Sequence, residues 1–221
     1  MHRISSLNAP SAHCGRSGNF ARKVFQATSA ALLVGWLTAC TVTPPVTQAR
    51  FDFGELGVRA GASSESSASH GAVVVPDVTA PTDLDSDQIR YRLAYLNGQQ
   101  ARGYAASRWT MTPAQLLTQR LRARLASRGA VLSNAGATSA PVLRVELTQF
   151  EQVFDQVNLG RGVVNLRATL TRNGVLVAQH EFSAAAPAPT PDAAGGARAL
   201  AQASDSAITA VIGWFQAQAQ P

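Results

Sequence analysis

The sequence predicts an α+β domain with two amphipathic helices packed on one face of an antiparallel sheet, preceded by a signal peptide and a flexible tether. Alternating apolar and polar residues predict the strands, and Asn-Gly pairs at 97–98 and 173–174 predict hairpins. Apolar residues that recur every four positions after residue 113 and again near the C-terminus predict the helices. The order of strands, helix, three strands and helix is typical of such a fold.

The first 39 of the 221 residues have the layout of a secretory signal. Residues 1–23 carry basic side chains without acids, and residues 24–37 are apolar. This stretch is shorter than the roughly 20 apolar residues that span a bilayer. It runs into Leu37, Thr38, Ala39 and Cys40.

These four residues resemble the lipobox of bacterial lipoproteins. The resemblance implies cleavage before Cys40, a diacylglycerol on its sulfur and a third acyl chain on its amine, which together hold a protein on a membrane. Thr41 stands where an aspartate tends to retain lipoproteins in the inner membrane, so we expect the periplasmic face of the outer membrane. A secreted protein with an unmodified cysteine and a membrane helix are the alternatives.

The charge of the mature chain argues against nucleic-acid binding. Four of the nineteen basic residues precede the apolar stretch, and the remaining fifteen arginines face thirteen acids. A net charge near +2 is too small for a phosphate-binding surface. Cys14 lies in the signal segment, so Cys40 is left alone and neither a disulfide nor a cysteine metal site is expected.

The mature chain is predicted to divide into a lipidated cysteine with a tether and linker, 40–71, and one domain, 72–217. Within the tether, Phe51 and Phe53 alternate, and residues 50–59 are predicted to form either a short strand or a docking segment. Predicted strands lie at 72–78, 89–95, 100–109, 142–154, 162–172 and 175–182, with a bulge near Thr148, and Pro-Ala repeats at 185–191 are expected to end the sheet.

The first helix is predicted over 113–128, and its start is well marked. Thr112 is the expected N-cap, Pro113 the first helical residue and Gln115 the partner of a capping box, while Gly129 is the expected C′ residue. The second helix is predicted over 193–217, with Gly195 and Gly196 fraying its start, so that its firm part begins near Arg198.

Several motifs occur in an order that resembles the ABC-type transport auxiliary lipoproteins, the Pqi-type component of MCE lipid-transport systems. They are FDFGEL, IRYRLAY, SRWTMTPAQLLTQRLRARL, LRVELTQFEQVF and a C-terminal helix ending in IGWF. The resemblance covers about residues 50–217 together with the lipobox. It implies that the chain docks a periplasmic MCE-domain conduit at the membrane, in a system powered by a permease and an ATPase.

One group of residues is a candidate partner surface: Arg108, Trp109, Arg120, Arg124 and Arg128. Trp and Arg are favoured at interfaces, and the arginine row suits an acidic partner or lipid headgroups. The competing interpretation places Trp109 in the core and the row on a solvated helix edge.

No catalytic constellation, metal site or cofactor is predicted, so we expect a protein that is not an enzyme. His180 is interpreted as a structural side chain, and Asp83, Asp85 and Asp87 as a solvated loop that lacks the pattern of a calcium site. An activator or assembly lipoprotein for envelope enzymes such as cell-wall synthases is the alternative function.

Overall fold

The computed structural model describes residues 47–55, 71–134, 136 and 139–219. The elements in these ranges are β1 (Ala49–Phe51), β2 (Val73–Val74), β3 (Gln88–Leu93), β4 (Ala101–Trp109), α1 (Pro113–Ala126), β5 (Val131–Leu132), β6 (Val142–Gln156), β7 (Leu159–Arg172), β8 (Val175–Pro187) and α2 (Ala193–Ala219).

The sheet is organised around β6. One edge of β6 pairs with β7 in antiparallel fashion along its length, and β7 pairs with β8. The other edge is shared: β2 joins at Val142, Thr79 bridges to Glu146, and β3 runs parallel beside Gln152–Phe154. From there β5 extends β2, while β4 and then β1 extend β3.

The predicted α+β fold with two helices is confirmed, but the sheet is mixed and not antiparallel. The pairs β1–β4, β2–β5, β2–β6 and β3–β6 are parallel. Parallel strands need a long crossover between them. Here β4 and α1 supply it between β3 and β6, a connection that the period of the strands alone does not reveal.

Both predicted hairpins are present, but only one has the predicted turn. Asn173 and Gly174 have φ values of 51° and 78°, the two left-handed residues that a type I′ turn requires. Asn97 and Gly98 do not adopt this conformation, because β3 ends at Leu93 and leaves a longer loop over 94–100. A third hairpin, which the sequence does not predict, joins β6 and β7 and turns at Asn158, whose φ is 61°.

The predicted bulge near Thr148 is confirmed by a shift in the β6–β7 register between Leu147 and Gln149. It lets Leu147 and Phe150 point to the same side of the sheet, where both are buried. The Pro-Ala repeats at 185–191 end the sheet as expected, since β8 ends at Pro187 within them. Because β8 is an edge strand, a proline without an N–H is tolerated there.

The start of α1 is as predicted, and its end differs. Thr112 and Gln115 form the capping box, with both reciprocal hydrogen bonds present. The helix ends at Ala126 with Ser127 as its C-cap, so Gly129 is not the C′ residue and has no left-handed backbone.

Helix α2 begins at Ala193 and does not fray at its glycines. The Asp192 carboxylate accepts a hydrogen bond from the Gly195 N–H at 2.7 Å, which caps the helix. A side chain at Gly196 would overlap Gln152 of β6, so this glycine permits a close approach of helix and sheet. On the sheet side, a Cβ on Gly162 would lie 2.6 Å from the Leu200 nitrogen.

Both helices pack on one face of the sheet, as predicted. Leu117 and Leu121 of α1 and Ile208 of α2 meet Val145 and Leu166 of the sheet. Residues 49–54, which fall within the predicted tether, also pack on the domain, and Phe53 belongs to its core. The folded part of the chain therefore begins before residue 72, and residues 1–46 and 56–70 lie outside the described residues.

Candidate functional site

The N-terminal segment Ala49–Gly54, called the docked segment below, is held by backbone hydrogen bonds at the edge of the sheet. Its strand β1 runs parallel to β4, with Ala49 beside Ser107 and Phe51 beside Trp109. The Thr110 N–H donates to the Phe51 carbonyl at 2.8 Å. The chain that comes from the predicted lipid anchor is thus built into the sheet.

An aromatic cluster holds the docked segment from inside. The Phe53 side chain is only 8% exposed and lies edge-on to Trp109, with ring centroids 5.8 Å apart. It also stacks on Phe150 at 6.1 Å. Burial of a phenylalanine of this kind contributes about 2–3 kcal/mol, so Phe53 is a strong local anchor.

Arg120 of α1 fixes the backbone of the same segment. Its side chain is 5% exposed, and its guanidinium donates to the carbonyls of Phe53 and Gly54. Its Nε lies 3.4 Å from Oδ1 of Asp205 on α2. One buried cation therefore joins the docked segment, α1 and α2, and it is compensated by an acid and two carbonyls, as a buried charge requires.

The remaining arginines of the predicted row also face α2. Nη2 of Arg124 lies 2.9 Å from Oδ1 of Asp205, and its Nη1 donates to the Thr209 hydroxyl at 2.8 Å. Nη1 of Arg128 is 3.5 Å from Oε1 of Gln216. The three arginines of the row therefore contact α2. Arg120 is buried in this contact, so it belongs neither to a partner surface nor to a solvated helix edge.

The last two members of the candidate partner surface are divided between core and edge. Trp109 is fully buried, in agreement with the interpretation that it fills the core where strand meets helix. Arg108 donates to the carbonyls of Tyr104 and Ser107 and lies 3.8 Å from Asp87. The structure does not bring the five residues together on one exposed surface.

A cavity of about 320 Å³ lies between the docked segment and the first turns of α1. Its wall is made by Asp52, Phe53, Gly54, Thr110, Met111, Leu116, Gln119, Arg120 and Ala123. The Arg120 guanidinium in this wall already donates hydrogen bonds to the carbonyls of Phe53 and Gly54. Its charge therefore holds the docked segment in place.

A polar cluster lies beneath the first turn of α2. The Tyr104 hydroxyl donates to Oε1 of Gln152 at 2.8 Å, and the Gln152 side chain is fully buried. Burial, followed by the nearby Tyr91 and Asp192, raises the pKa of Tyr104 to about 12. Tyr104 therefore keeps its proton at any physiological pH and acts as a hydrogen-bond donor.

The helix-free face of the sheet carries a polar ladder. Arg167 of β7 lies 3.1 Å from Glu146 of β6 and 2.9 Å from Glu181 of β8. Arg92 of β3 lies 3.0 Å from Glu151 of β6. Exposed pairs such as those of Arg167 contribute about 0–1 kcal/mol each, so they keep this face polar more than they stabilise it.

The groups weighed for chemistry lie apart from one another. Asp83 pairs with Arg90, and Asp87 lies near Arg50. Among the described residues, no three His, Cys, Asp or Glu side chains are grouped closely enough to hold a metal ion. His180 is exposed on β8, where its ring contacts Phe182.

The lipobox residues, Leu37 to Cys40, lie outside the described residues, so lipidation stays a prediction. In the part of the chain that the structure describes, neither helix is long and apolar enough to cross a membrane. The docked segment had a signal in the sequence, the alternation of Phe51 and Phe53, whereas the burial of Arg120 had none, because an arginine beside an apolar stripe is normally exposed.

The fold and site define a two-layer α+β domain whose N-terminal segment is fastened to the sheet edge and the core. A family model described as ABC-type transport auxiliary lipoprotein component matches residues 55–211. The chain belongs to this family, and the resemblance seen in the sequence is confirmed.

Solved structures share this fold at low sequence identity. Protein XCC0632 from Xanthomonas campestris is 19% identical, with 79% of this chain and 89% of that chain covered and a TM-score of 0.59. An uncharacterized protein is 17% identical, with 76% and 99% covered and a TM-score of 0.60. A comparison with curated proteins gave no match.

Proposed function

We propose that this chain is acylated at Cys40, sits on the periplasmic face of the outer membrane, and docks the MCE-domain conduit of an ABC-type lipid-transport system there. The family supports the coarser part of the proposal, an auxiliary component of an ABC-type transporter with a lipoprotein character. The MCE protein, permease and ATPase are the partners that the sequence resemblance implies.

The observation that carries the proposal is the way in which the docked segment is held. Phe53 and Arg120 fasten the chain to the core only thirteen residues after Cys40. If Cys40 is acylated, the domain stays close to the bilayer, because the short linker confines the domain to a small volume around the anchor. This arrangement suits a protein that holds a partner at a membrane.

The proposal also assigns the chain a binding role without catalysis. The buried polar groups of the site are committed to structure: Arg120 to carbonyls, Tyr104 to Gln152 and Asp205 to two arginines. A general acid or base would need a free proton-transferring group within reach of a substrate.

Two measurements in cells test the proposal. The first is a clickable fatty acid fed to growing cells, with mass analysis of the N-terminal peptide; we expect acylated Cys40 and no label on a Cys40→Ser variant. The second is crosslinking followed by capture through a C-terminal tag; we expect an MCE-domain protein, a permease and an ATPase.

A matched control separates docking from anchoring. The same capture is made with an acylated chain that carries the lipobox and residues 40–48 on an unrelated folded domain. Recovery of the transporter by both chains would show that the anchor alone places the protein near it. Recovery of a penicillin-binding protein instead would favour the activator role and overturn the transport role.

A further inference from the structure

One end of the sheet, called the near end below, exposes a group of large apolar side chains. They are Tyr95 and Leu96 in the loop after β3, and Val157 and Leu159 at the β6–β7 turn, with 39%, 66%, 67% and 57% of their surface exposed. The two loops are neighbours, because the Ala94 N–H donates to the Phe154 carbonyl at 2.9 Å.

The opposite end, called the far end, is equally apolar. Val175, Leu176 and Val177 at the β7–β8 hairpin are 68%, 61% and 43% exposed, and Leu132 of β5 is 37% exposed. Exposure alone therefore does not tell which end meets a lipid surface, and the choice depends on where the tether leaves the domain.

The direction of β1 makes that choice. Since β1 is parallel to β4, and β4 runs from Ala101 at the near end to Trp109, the chain before Ala49 leaves the sheet toward the near end. Thr47 and Gln48, the described residues of this chain, are exposed.

The length of the chain agrees. Nine steps separate Cys40 from Ala49, which span at most about 30 Å. Ala49 lies beside Ser107, six residues from the start of β4 at Ala101, so the near end is within about 20 Å. The extended tether can therefore pass the near end by about 10 Å.

The tether between Cys40 and Ala49 is too short to place the far end on the membrane. Ala49 is level with the middle of β6 near Phe150, and Val142 at the far end of that strand lies eight residues away, about 26 Å. The hairpin at Val175 extends further still. A tether of about 30 Å that first leaves in the opposite direction cannot double back and still touch a membrane there.

The near end also has the side chains of an interfacial surface. A groove of about 320 Å³ opens there between Leu159 and the end of β8 at Ala185–Pro187. Its rim carries the Asp155–Arg161 ion pair at 2.7 Å. Tyr95 is the kind of amphipathic ring that is enriched at membrane interfaces.

We infer that the near end rests on the bilayer that holds the acyl chains of Cys40, with Tyr95, Leu96, Val157 and Leu159 in the headgroup region. This inference rests on the proposed acylation, and it adds an orientation: the β7–β8 hairpin points away from the membrane. Apolar side chains at the surface add to the hold of the lipid anchor.

The experiment compares Leu159→Cys with Leu176→Cys in the acylated mature chain. The two leucines are 57% and 61% exposed and lie at opposite ends, so each is the control for the other. Because acylation blocks Cys40, a nitroxide label attaches only at the new position. The protein is reconstituted in vesicles of phosphatidylethanolamine and phosphatidylglycerol, and collisions with dissolved oxygen, which enters lipid, and with a nickel chelate, which stays in water, are measured.

We expect the ratio of oxygen to nickel collisions to rise several-fold for the label at 159 on reconstitution and to stay unchanged at 176. A rise at 176 instead would reverse the orientation and overturn the inference. Shielding of the label at 159 from both oxygen and the nickel chelate would show that a second copy or another protein covers the near end, and this result would also overturn the inference.

The mass of the N-terminal peptide keeps the two levels of the proposal apart. An acylated Cys40 with a water-exposed label at 159 refutes the orientation and leaves the anchor intact. A Cys40 without acyl chains refutes the anchor itself, and the orientation falls with it. Circular dichroism of both variants confirms that the labels leave the fold unchanged.

Discussion

Arg120 and Asp205 form an ion pair between the two helices, with Nε 3.4 Å from Oδ1, and the same guanidinium holds the carbonyls of the docked segment. Asp205 also lies 2.9 Å from Arg124. The pair thus ties the N-terminal segment to the helical layer.

Replacement of Arg120 is expected to loosen the docked segment. The Arg120→Ala variant removes the donor to the carbonyls of Phe53 and Gly54 and leaves Asp205 paired with Arg124 alone, at a cost of about 1–3 kcal/mol for the buried carbonyl that loses its partner. Urea denaturation measures the loss in the free energy of unfolding. Arg102→Ala is the matched control, because Arg102 is exposed and, among the described residues, its side chain is hydrogen-bonded only to Gln100. It should change stability by less than about 0.5 kcal/mol.

Truncation of Phe53 is expected to create a cavity between Trp109 and Phe150. Phe53→Ala should lower the free energy of unfolding by about 3–4 kcal/mol and expose the Phe51 region to proteolysis first. Limited proteolysis with mass analysis detects the cut. A variant that is cut no faster than the parent chain would show that β1 holds the segment without the aromatic cluster.

The close contact of β7 with α2 predicts that Gly162 tolerates no side chain. A Cβ there would lie 2.6 Å from the Ala199 carbonyl carbon, so Gly162→Ala should cost about 1–3 kcal/mol through displacement of the helix. Gly98→Ala is the control, since nothing lies within 4 Å of that position. Equal melting temperatures for the two variants would contradict the packing described for α2.

The cap of α2 predicts a pH dependence. Hydrogen bonds from the Gly195 N–H and then the Thr190 hydroxyl lower the pKa of Asp192 below its ordinary value of 3.8. A lowered pKa stabilises the fold above the ordinary value, and this contribution is lost as the pH falls through the folded-state pKa.

Asp192→Ala should therefore cost about 1 kcal/mol at pH 7 and less in acid, while Asp192→Asn keeps the cap and removes the pH-dependent part. Thermal unfolding of the three proteins from pH 7 to pH 2 provides the measurement. An Asn variant whose loss with acid matches that of the parent would assign the effect to another carboxylate.

Local features of the fold were predictable from the sequence because neighbouring residues determine them. The spacing of Thr112 and Gln115 predicts the capping box. Asn173 and Gly174 predict their turn because both residue types tolerate the positive φ that a type I′ turn requires. The parallel pairing of β3 with β6 was not predictable in this way, since it depends on how distant segments meet. The burial of Arg120 also needed the position of Asp205, eighty-five residues further on.

The parallel pairing of β1 with β4 has a mechanical consequence. If Cys40 is acylated and its acyl chains lie in the bilayer at the near end, tension on the chain acts along the axis of β1 and loads the β1–β4 hydrogen bonds in shear. The bonds of a sheared strand share the load, whereas those of a peeled strand break one after another. In that arrangement, a force transmitted from the membrane is opposed by all the hydrogen bonds of β1 together with the buried Phe53 side chain. The β1 strand then stays paired with β4 while the anchor moves with the membrane.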